Sequence, residues 1–333
     1  MQIAVVHNAV EPDSRADEQD VLVQAAAVSD AIIESGHSPT QKACTLDLIQ
    51  IKNLLQSMNT GLVFNLVESL DGEGRLIHLF PALLDGLGIP YTGSCTETVF
   101  ITSHKILAKE RMVLAGIPTP MWRGPFPQDF PSIGKTPLVE EGTVWLVKSL
   151  WEHGSLGLGH DDLISDISLS DLDRIMEERA PGLGRACFAE AYITGREFNL
   201  SLLSGPAGPE VLPPAEIIFE GYGPEKLPIV GYQAKWDMDS YEYHHTPRRF
   251  DFFDSDGALL EKLKSIAIQC WDLFGLNGYA RVDFRVDKDG APWVLEVNCN
   301  PCLSPDAGFA AAVSQAGLTY RQAIERIIGA VRI

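Results

Sequence analysis

A β-hairpin pattern over residues 278–298 constrains the fold of this chain most strongly. From residue 280 to residue 286 polar and apolar side chains alternate with a period of two, which is typical of a half-buried strand. Turn residues fill positions 287–290, and the alternation resumes at Trp293. The stretch therefore predicts two antiparallel strands with one polar face and one apolar face.

The polar face of this hairpin carries oxygen ligands. Pairing across a four-residue loop places Arg281 opposite Glu296, and Asp283 diagonal to Glu296 at about 7 Å between Cα atoms. Asn298 lies on the same face. Carboxylate and amide oxygens suit Mg²⁺, which usually shares its coordination sphere with waters and substrate phosphates. We predict a metal site here, the alternative being a surface hairpin with solvated charges.

Bulk properties exclude several classes of protein. The 333 residues, 45% of them hydrophobic, can bury the cores of two or three domains. No run of about 20 apolar residues occurs, and the N-terminus lacks the basic start of a signal peptide, so we expect a cytoplasmic protein without a membrane span. The net charge of -19 disfavours nucleic acid and anionic membranes as partners. Any phosphate site must be a local cluster of basic residues.

The six cysteines are too sparse for a disulfide scaffold. Cys299 and Cys302 have the C-x-x-C spacing, but no second pair stands at zinc-finger spacing and no thioredoxin-like pattern surrounds them. A redox or metal protein built on these two thiols remains an alternative. Its function would survive a change of Lys148 and would be lost when Cys302 becomes serine.

The first part of the chain alternates strands and helices. A short apolar strand at 3–6 precedes a helix at 17–35, and a buried strand at 62–67 precedes a helix at 76–87. This order predicts an α/β domain that ends near residue 100.

The middle of the chain contains two basic positions in ordered elements. Lys105 lies in the first turn of a helix predicted over 103–115, and Lys148 ends a strand at 144–148. Residues 121–143 are rich in proline and polar residues and are predicted to form a loop or an irregular edge. The loop at 152–159 is rich in glycine, which lets backbone amides approach a phosphate.

The remaining elements follow by the same patterns. The sequence predicts strands at 185–193 and 195–203, an exposed segment over a site at 209–250, and helices at 257–274, 306–316 and 319–331.

The hairpin motifs resemble a known family. Arg281-Val-Asp-Phe followed by Leu295-Glu-Val-Asn-Cys-Asn-Pro is similar to the C-terminal signature of ATP-grasp enzymes, above all the D-alanine–D-alanine ligase group. Ile89-Pro-Tyr-Thr-Gly-Ser94 and Gly116-Ile-Pro-Thr-Pro120 match the same group in order. The resemblance implies an α/β (α+β) fold of the ATP-grasp type with an N-terminal Rossmann-like domain. The implied division is a pre-ATP-grasp α/β domain at 1–100, a central subdomain with the phosphate lid loop at 101–187, and a C-terminal subdomain with the metal-binding hairpin at 188–333.

The resemblance also implies roles for individual residues. ATP would be bound by Lys105, Lys148, Gly154, Ser155, Gly157, Glu190, Tyr192, Ile193, Glu197 and Lys235. Among these, Glu190 to Ile193 match an adenine-binding linker and Glu197 matches a ribose-binding carboxylate. Mg²⁺ or Mn²⁺ would be held by Asp283, Glu296 and Asn298. Catalysis would rest on Arg281, Ser155 and Lys235, with Arg281 meeting the developing oxyanion beside backbone N–H groups near residue 302.

Several positions depart from the family pattern. The group carries serine at the position of Gly154, histidine at Glu68, glycine at Cys302 and commonly tyrosine at Trp236. In the family the first three of these positions touch the amino-acid substrates. We hypothesise that Glu18 and Glu68 bind the ammonium of an amino acid or peptide, the alternative for each being a plain surface carboxylate.

Together these features imply an ATP-dependent carboxylate–amine ligase. ATP would phosphorylate a substrate carboxylate to an acyl phosphate, and an amine would then attack it to form an amide. The alternative is an ATP-binding regulatory protein on the same fold. The sequence leaves open the substrate's identity and chirality, and whether the chain forms a homodimer.

Overall fold

The computed structural model describes residues 1–58, 60–127, 142–152, 154–159, 162–223, 226 and 228–331. They form three β-sheets with helices packed against them. This mixed architecture confirms the predicted α/β (α+β) class.

The N-terminal sheet has three parallel strands in the order β2-β1-β3. β3 is wholly buried, as expected of a parallel strand covered on both faces. Four of its five residues are apolar for that reason, the exception being Asn65. The elements are β1 (Gln2–Asn8), α1 (Ala16–Glu34), β2 (Ser38–Cys44), α2 (Leu48–Ser57), β3 (Leu62–Leu66), α3 (Leu79–Leu87) and α4 (Thr96–Ser103).

Sequence patterns do not reveal β2 and α2. β2 is an edge strand in which only Cys44 is fully buried, so it lacks the alternation that marks a strand. α2 begins at an N-cap, Asp47, whose carboxylate accepts the Gln50 N–H at 3.1 Å.

The central sheet is antiparallel, with the order β4-β7-β5-β6. Its first strand, at residues 122–126, lies at the edge of the sheet and pairs with its neighbour in an irregular register, so the predicted irregular edge is confirmed there. The rest of that stretch, 128–141, lies outside the described residues. The elements are α5 (Lys105–Leu114), β4 (Trp122–Phe126), β5 (Trp145–Ser149), β6 (Leu163–Ile164), α6 (Leu169–Arg179) and β7 (Cys187–Ala191). Ile106 of α5 is buried in one cluster with Trp122 of β4 and Phe188 of β7.

The C-terminal sheet is antiparallel and runs β11-β10-β8-β12-β13, with β9 paired to β8. The last helix begins at a capping box, in which Thr319 and Gln322 satisfy each other's backbone N–H groups. The elements are β8 (Gly195–Gly205), β9 (Gly208–Val211), β10 (Ala215–Ile217), α7 (Tyr232–Trp236), α8 (Tyr241–His244), β11 (Arg248–Arg249), α9 (Gly257–Phe274), β12 (Tyr279–Asp287), β13 (Pro292–Asn298), α10 (Gly308–Gln315) and α11 (Tyr320–Gly329).

The predicted domain limits fall inside elements. Residue 100 lies within α4, and residue 187 begins β7, which pairs with β4 and β5. Val99 of α4 and Met112 of α5 are buried in one cluster with Leu263 of α9. The helices that follow the parallel sheet therefore belong to the core of the C-terminal sheet, a long-range association that local sequence patterns cannot show.

The β12–β13 hairpin forms, but in a different register from the predicted one. Arg281 lies opposite Asn298, and Asp283 lies opposite Glu296. The register shifts beside Asp283, where Leu295 is an extra residue in β13. A bulge of this kind keeps the alternation on each side but offsets it by one position. The predicted Arg281–Glu296 pairing is therefore wrong.

Candidate active site

One cavity of about 890 Å³ lies between the three sheets. All of the site residues predicted from the sequence line it, with the exception of Gly157. Gly157 instead packs beside Leu183, whose Cδ2 would lie 2.5 Å from an added Cβ.

The acidic face of the hairpin forms one wall of the cavity. Asp283 and Glu296 are directly opposed, so their side chains point to the same side of the ribbon, as does Asn298. Arg281 donates from Nε and Nη2 to the two Asp283 oxygens at 2.7 and 2.8 Å, and Asn199 Nδ2 donates at 2.9 Å. Burial works to lower the Arg281 pKa, but the Asp283 carboxylate outweighs it and the pKa is raised.

This wall offers the ligand chemistry of a magnesium site. Two carboxylates and the Asn298 amide are hard oxygen donors of the type that Mg²⁺ prefers. Within the described ranges no group of three or more His, Cys, Asp and Glu side chains is placed to hold a metal. The donor set thus fits an ion that completes its sphere with waters and phosphate oxygens, rather than a cage made only by protein.

Two predicted phosphate lysines reach the same cavity from separate elements. Lys105, at the start of α5, donates to the Glu152 backbone oxygen at 2.6 Å. Burial lowers its pKa, while Glu296 acts in the opposite direction. Lys235 is carried by α7, and burial followed by the repulsion of Arg281 lowers its pKa. Both cations therefore lie close to the acidic wall.

Glu190 has a role that the sequence did not indicate. Its carboxylate is buried and forms ion pairs with Lys148 and, at 2.7 Å, with Lys109. Burial alone would raise the Glu190 pKa, but the two ammonium groups outweigh it and lower the pKa. Lys109 also donates to Thr119 Oγ1 and Pro120 O, at 2.7 and 2.9 Å. Sequence reasoning missed Lys109, although it lies one turn after Lys105 on the same helix.

Arg285 is a second residue that sequence reasoning missed. Its guanidinium donates to Ile193 O at 3.0 Å, to the Tyr192 hydroxyl at 2.6 Å and to Glu197 at 3.1 Å. Burial raises the Glu197 pKa, and Arg285 opposes that effect. The sequence does contain a signal for Arg285: it lies two residues after Asp283 on β12, and so on the same face of the strand. Arg285 fixes the predicted nucleotide linker relative to the sheet.

The two cysteines of the C-x-x-C stretch are free thiols. Burial raises the Cys299 pKa to about 11, and Thr102 donates to its sulfur at 3.2 Å. Burial and then Asp20 raise the Cys302 pKa well above its ordinary value, and its thiol donates to Asp20 at 3.0 Å. Both groups are held in the protonated form, which is the unreactive form of a thiol. The arrangement gives no support to the redox alternative.

Comparison with known proteins decides the family. The sequence profile described as "D-ala D-ala ligase C-terminus" matches residues 163–329. An uncharacterized protein, y4sG, of Sinorhizobium fredii is 32% identical over 81% of this chain and 74% of its own length. The chain belongs to the D-alanine–D-alanine ligase family.

Other members support this placement of the chain among the D-alanine–D-alanine ligases. A protein named D-alanine–D-alanine ligase from Moorella thermoacetica is 29% identical over 92% of this chain and 93% of its own length. The fold matches that of the Bacillus anthracis D-alanine–D-alanine ligase complexed with ATP, with a TM-score of 0.72, 20% identity and coverage of 99% and 97% of the two chains. The predicted ATP-grasp fold is confirmed. None of the helices in the described part of the chain has the length and apolar character needed to cross a membrane.

Two departures from the D-alanine–D-alanine ligase pattern touch each other. Gly154 has a left-handed φ of +70°, and Trp236 Nε1 donates to its backbone oxygen at 3.1 Å. A Cβ at Gly154 would lie 3.2 Å from that nitrogen. The neighbouring Ser155, predicted to be catalytic, donates its hydroxyl to Val230 O at 3.0 Å. The Gly-rich loop and the segment carrying α7 are therefore joined over the cavity.

The substrate end of this ligase cavity differs most from the family pattern. Glu18 pairs with Arg15 at 3.1 Å, and Glu68 accepts a hydrogen bond from Gln24 at 2.9 Å. Cys302 lies beside them through its contact with Asp20. The structure thus brings together the three predicted substrate residues.

Proposed function

We propose that this chain, a D-alanine–D-alanine ligase-like ATP-dependent ligase, joins the carboxylate of one amino acid or small peptide to the amine of another. The observation that carries the proposal is the convergence of basic and acidic groups from separate sheets on one cavity. Its basic residues are Lys105, Lys148 and Lys235, and its acidic wall is formed by Asp283 and Glu296.

The protein's part in the reaction is positioning and charge neutralisation. ATP supplies the phosphoryl group that converts the substrate carboxylate into an acyl phosphate, which the amine then attacks with release of phosphate. Lys105, Lys148 and Lys235 bind phosphate oxygens from different sides. Little covalent work is required of side chains in phosphoryl transfer, so fixed charges account for most of the catalysis.

Asp283, Glu296 and Asn298 would hold Mg²⁺ or Mn²⁺, which would add positive charge beside the phosphates. Arg281, fixed in orientation by Asp283, neutralises charge on the carboxyl group under attack. The Cys302 backbone N–H is a second donor toward that oxygen.

A buried glutamate and a buried arginine position the groups that would bind the nucleotide. Glu190 holds Lys148 against the central sheet, so that its ammonium stays at the cavity wall. Arg285 holds the linker at Tyr192 and Ile193, whose backbone groups would meet the adenine, and Glu197 would accept the ribose hydroxyls. We propose the cytoplasm as the place of action, since ATP is available there.

A phosphate-release screen tests the proposal. The purified protein is incubated with ATP, Mg²⁺ and pools of D- and L-amino acids and dipeptides, and amide products are identified by mass spectrometry. We expect phosphate release only when a pool containing the substrates is present. The Lys148→Met variant should release phosphate more slowly. Lys262→Met, which changes an exposed lysine of α9 outside the cavity, should leave the rate unchanged.

The regulatory alternative predicts a different result. In that case the protein binds ATP but releases no phosphate with any pool, and the proposed ligase function is wrong.

A further inference from the structure

One end of the cavity is a recess lined by four carboxylates, of Asp17, Glu18, Asp20 and Glu68. The Arg15 guanidinium forms ion pairs with two of them, at 3.1 Å from Asp17 and 3.1 Å from Glu18. Across the described ranges of the chain, no basic side chain forms an ion pair with Asp20 or Glu68. The recess therefore has two carboxylates without a counter-cation.

Neutral groups connect these two carboxylates. Gln24 Nε2 donates to Asp20 at 3.2 Å and to Glu68 Oε1 at 2.9 Å, so one amide group spans both. Cys302 and Ser304 also donate to Asp20, at 3.0 and 2.7 Å. In the described structure no donor reaches the second oxygen of Glu68. That oxygen is available to a ligand.

A side-chain amide beside Glu68 has a free donor group facing the cavity. Asn8 is 4% exposed and lines the cavity, and its Oδ1 accepts the Glu68 backbone N–H at 3.3 Å. Its Nδ2 group has no hydrogen-bond acceptor within the described ranges. An amide N–H at a cavity wall without a protein acceptor is matched by an acceptor atom of a ligand, which the carboxylate of an amino acid supplies.

The charges that act on Glu68 are all negative. Burial is the largest cause that raises its pKa to about 7, and Asp20 and Asp17 raise it further, against the Gln24 hydrogen bond. Four carboxylates against one guanidinium leave an excess of three negative charges when all are ionised, and an excess of two when Glu68 is protonated. The α-ammonium of one amino acid neutralises only one of these charges. Carboxylates that a bound ligand shields from water are costly without a counter-ion, so the recess suits a ligand with a second cation.

We propose that the amino acid bound in this recess is a diamino acid. Its side-chain ammonium lies between Asp20 and Glu68, and its α-ammonium lies at Asp17 and Glu18. The inference rests on the proposed ligase function, and it names the substrate class of that same site.

Matched amino acids that differ only in the terminal ammonium test the proposal. Binding of ornithine and norvaline, each as D and L enantiomers, is measured by calorimetry with Mg²⁺ and a non-hydrolysable ATP analogue, and phosphate release is measured with ATP. Diaminobutyrate against aminobutyrate, and lysine against norleucine, cover shorter and longer side chains. We expect at least one diamino acid to bind about tenfold to a hundredfold more tightly than its neutral counterpart, the range for a hydrogen bond to a charged group.

Variants assign this preference to the recess. Glu68→Gln should remove most of the preference for the diamino acid. It should weaken binding of the diamino acid and leave the affinity for its neutral counterpart as it is. Asp20→Asn should act in the same direction and provides a second variant if the first does not fold, as judged by thermal melting. Asp13→Asn changes an exposed carboxylate outside the cavity and should have no effect.

Two results would overturn the assignment: neutral amino acids that bind as tightly as their diamino counterparts, or a Glu68→Gln variant that weakens both kinds equally. Tight binding of a diamino acid without phosphate release from any pool would instead contradict the ligase function and leave the recess assignment standing.

Discussion

Serine at position 154 should impair closure of the Gly-rich loop, although serine is the residue of the family pattern. Gly154 has a left-handed backbone, which costs an L-residue about 1–2 kcal/mol. The added Cβ would lie 3.2 Å from Trp236 Nε1, so the indole must move and its 3.1 Å hydrogen bond to Gly154 O is weakened, at a further cost of about 1 kcal/mol. Together these costs amount to about 2–3 kcal/mol, which corresponds to about a 30- to 150-fold loss in kcat/KM for ATP.

The assay is kcat/KM for ATP in a coupled phosphate-release measurement on Gly154→Ser. In a Trp236→Tyr background the indole hydrogen bond is already absent, so Gly154→Ser should there cost only the backbone part, and its effect should be about fivefold smaller than in the wild type. Gly116→Ser is the matched control, because Gly116 also has a left-handed φ, of +74°, but has open space around its Cβ position and lies outside the cavity. A Gly154→Ser enzyme within about threefold of the wild type, which is less than 1 kcal/mol, or an equally large effect of Gly154→Ser in the Trp236→Tyr background, would refute this reasoning.

Four further predictions follow from the buried charges. Lys109→Met should lower the free energy of unfolding by about 3 kcal/mol in urea denaturation, at the low end for a broken buried ion pair because Glu190 keeps Lys148. The folded-state Glu190 pKa lies below its ordinary value of 4.5, so its stabilisation is complete above that pH and is lost as the pH falls through the folded pKa. The difference in melting temperature between wild type and Glu190→Gln should therefore shrink as the pH is lowered below about 4.5; a constant difference would contradict the ion pairs. Asp283→Asn should raise the Mg²⁺ concentration for half-maximal phosphate release by at least tenfold, and an unchanged requirement would remove Asp283 from the metal site. Cys302→Ser should keep most of the ligase activity, since serine retains a donor to Asp20, whereas complete loss would revive the thiol-based alternative.

Local patterns in the sequence predicted the elements that have a strong period. The α9 helix and the β12–β13 hairpin appear where the 3.6- and two-residue periods placed them. The edge strand β2 was missed because its side chains are mostly exposed, so nothing distinguishes it from a polar loop. His104 interrupts the helix predicted over 103–115, since its ring nitrogen accepts the Leu107 N–H and caps α5. Caps of this kind are rare for histidine and have no clear sequence signal.

The part of the candidate site that consists of motif residues could be predicted from the sequence. The hairpin acids and the phosphate lysines carry family motifs, and the structure brings them to one cavity. The supporting pairs were not predictable, because Lys109 meets Glu190 across 81 positions and Arg285 meets Tyr192 across 93. Such contacts depend on how the sheets pack, which no local period encodes.

The extra residue in β13 has a consequence for the chemistry. Because Leu295 is inserted beside the Asp283–Glu296 pair, two consecutive side chains, Leu295 and Glu296, both face the cavity, whereas Val294 and Val297 on either side are buried in the core. The hairpin thus presents an apolar side chain and a metal-binding carboxylate next to each other on the cavity wall. Removing that single leucine would restore regular pleating with Glu296 still opposite Asp283, and would take only the apolar side chain out of the cavity wall.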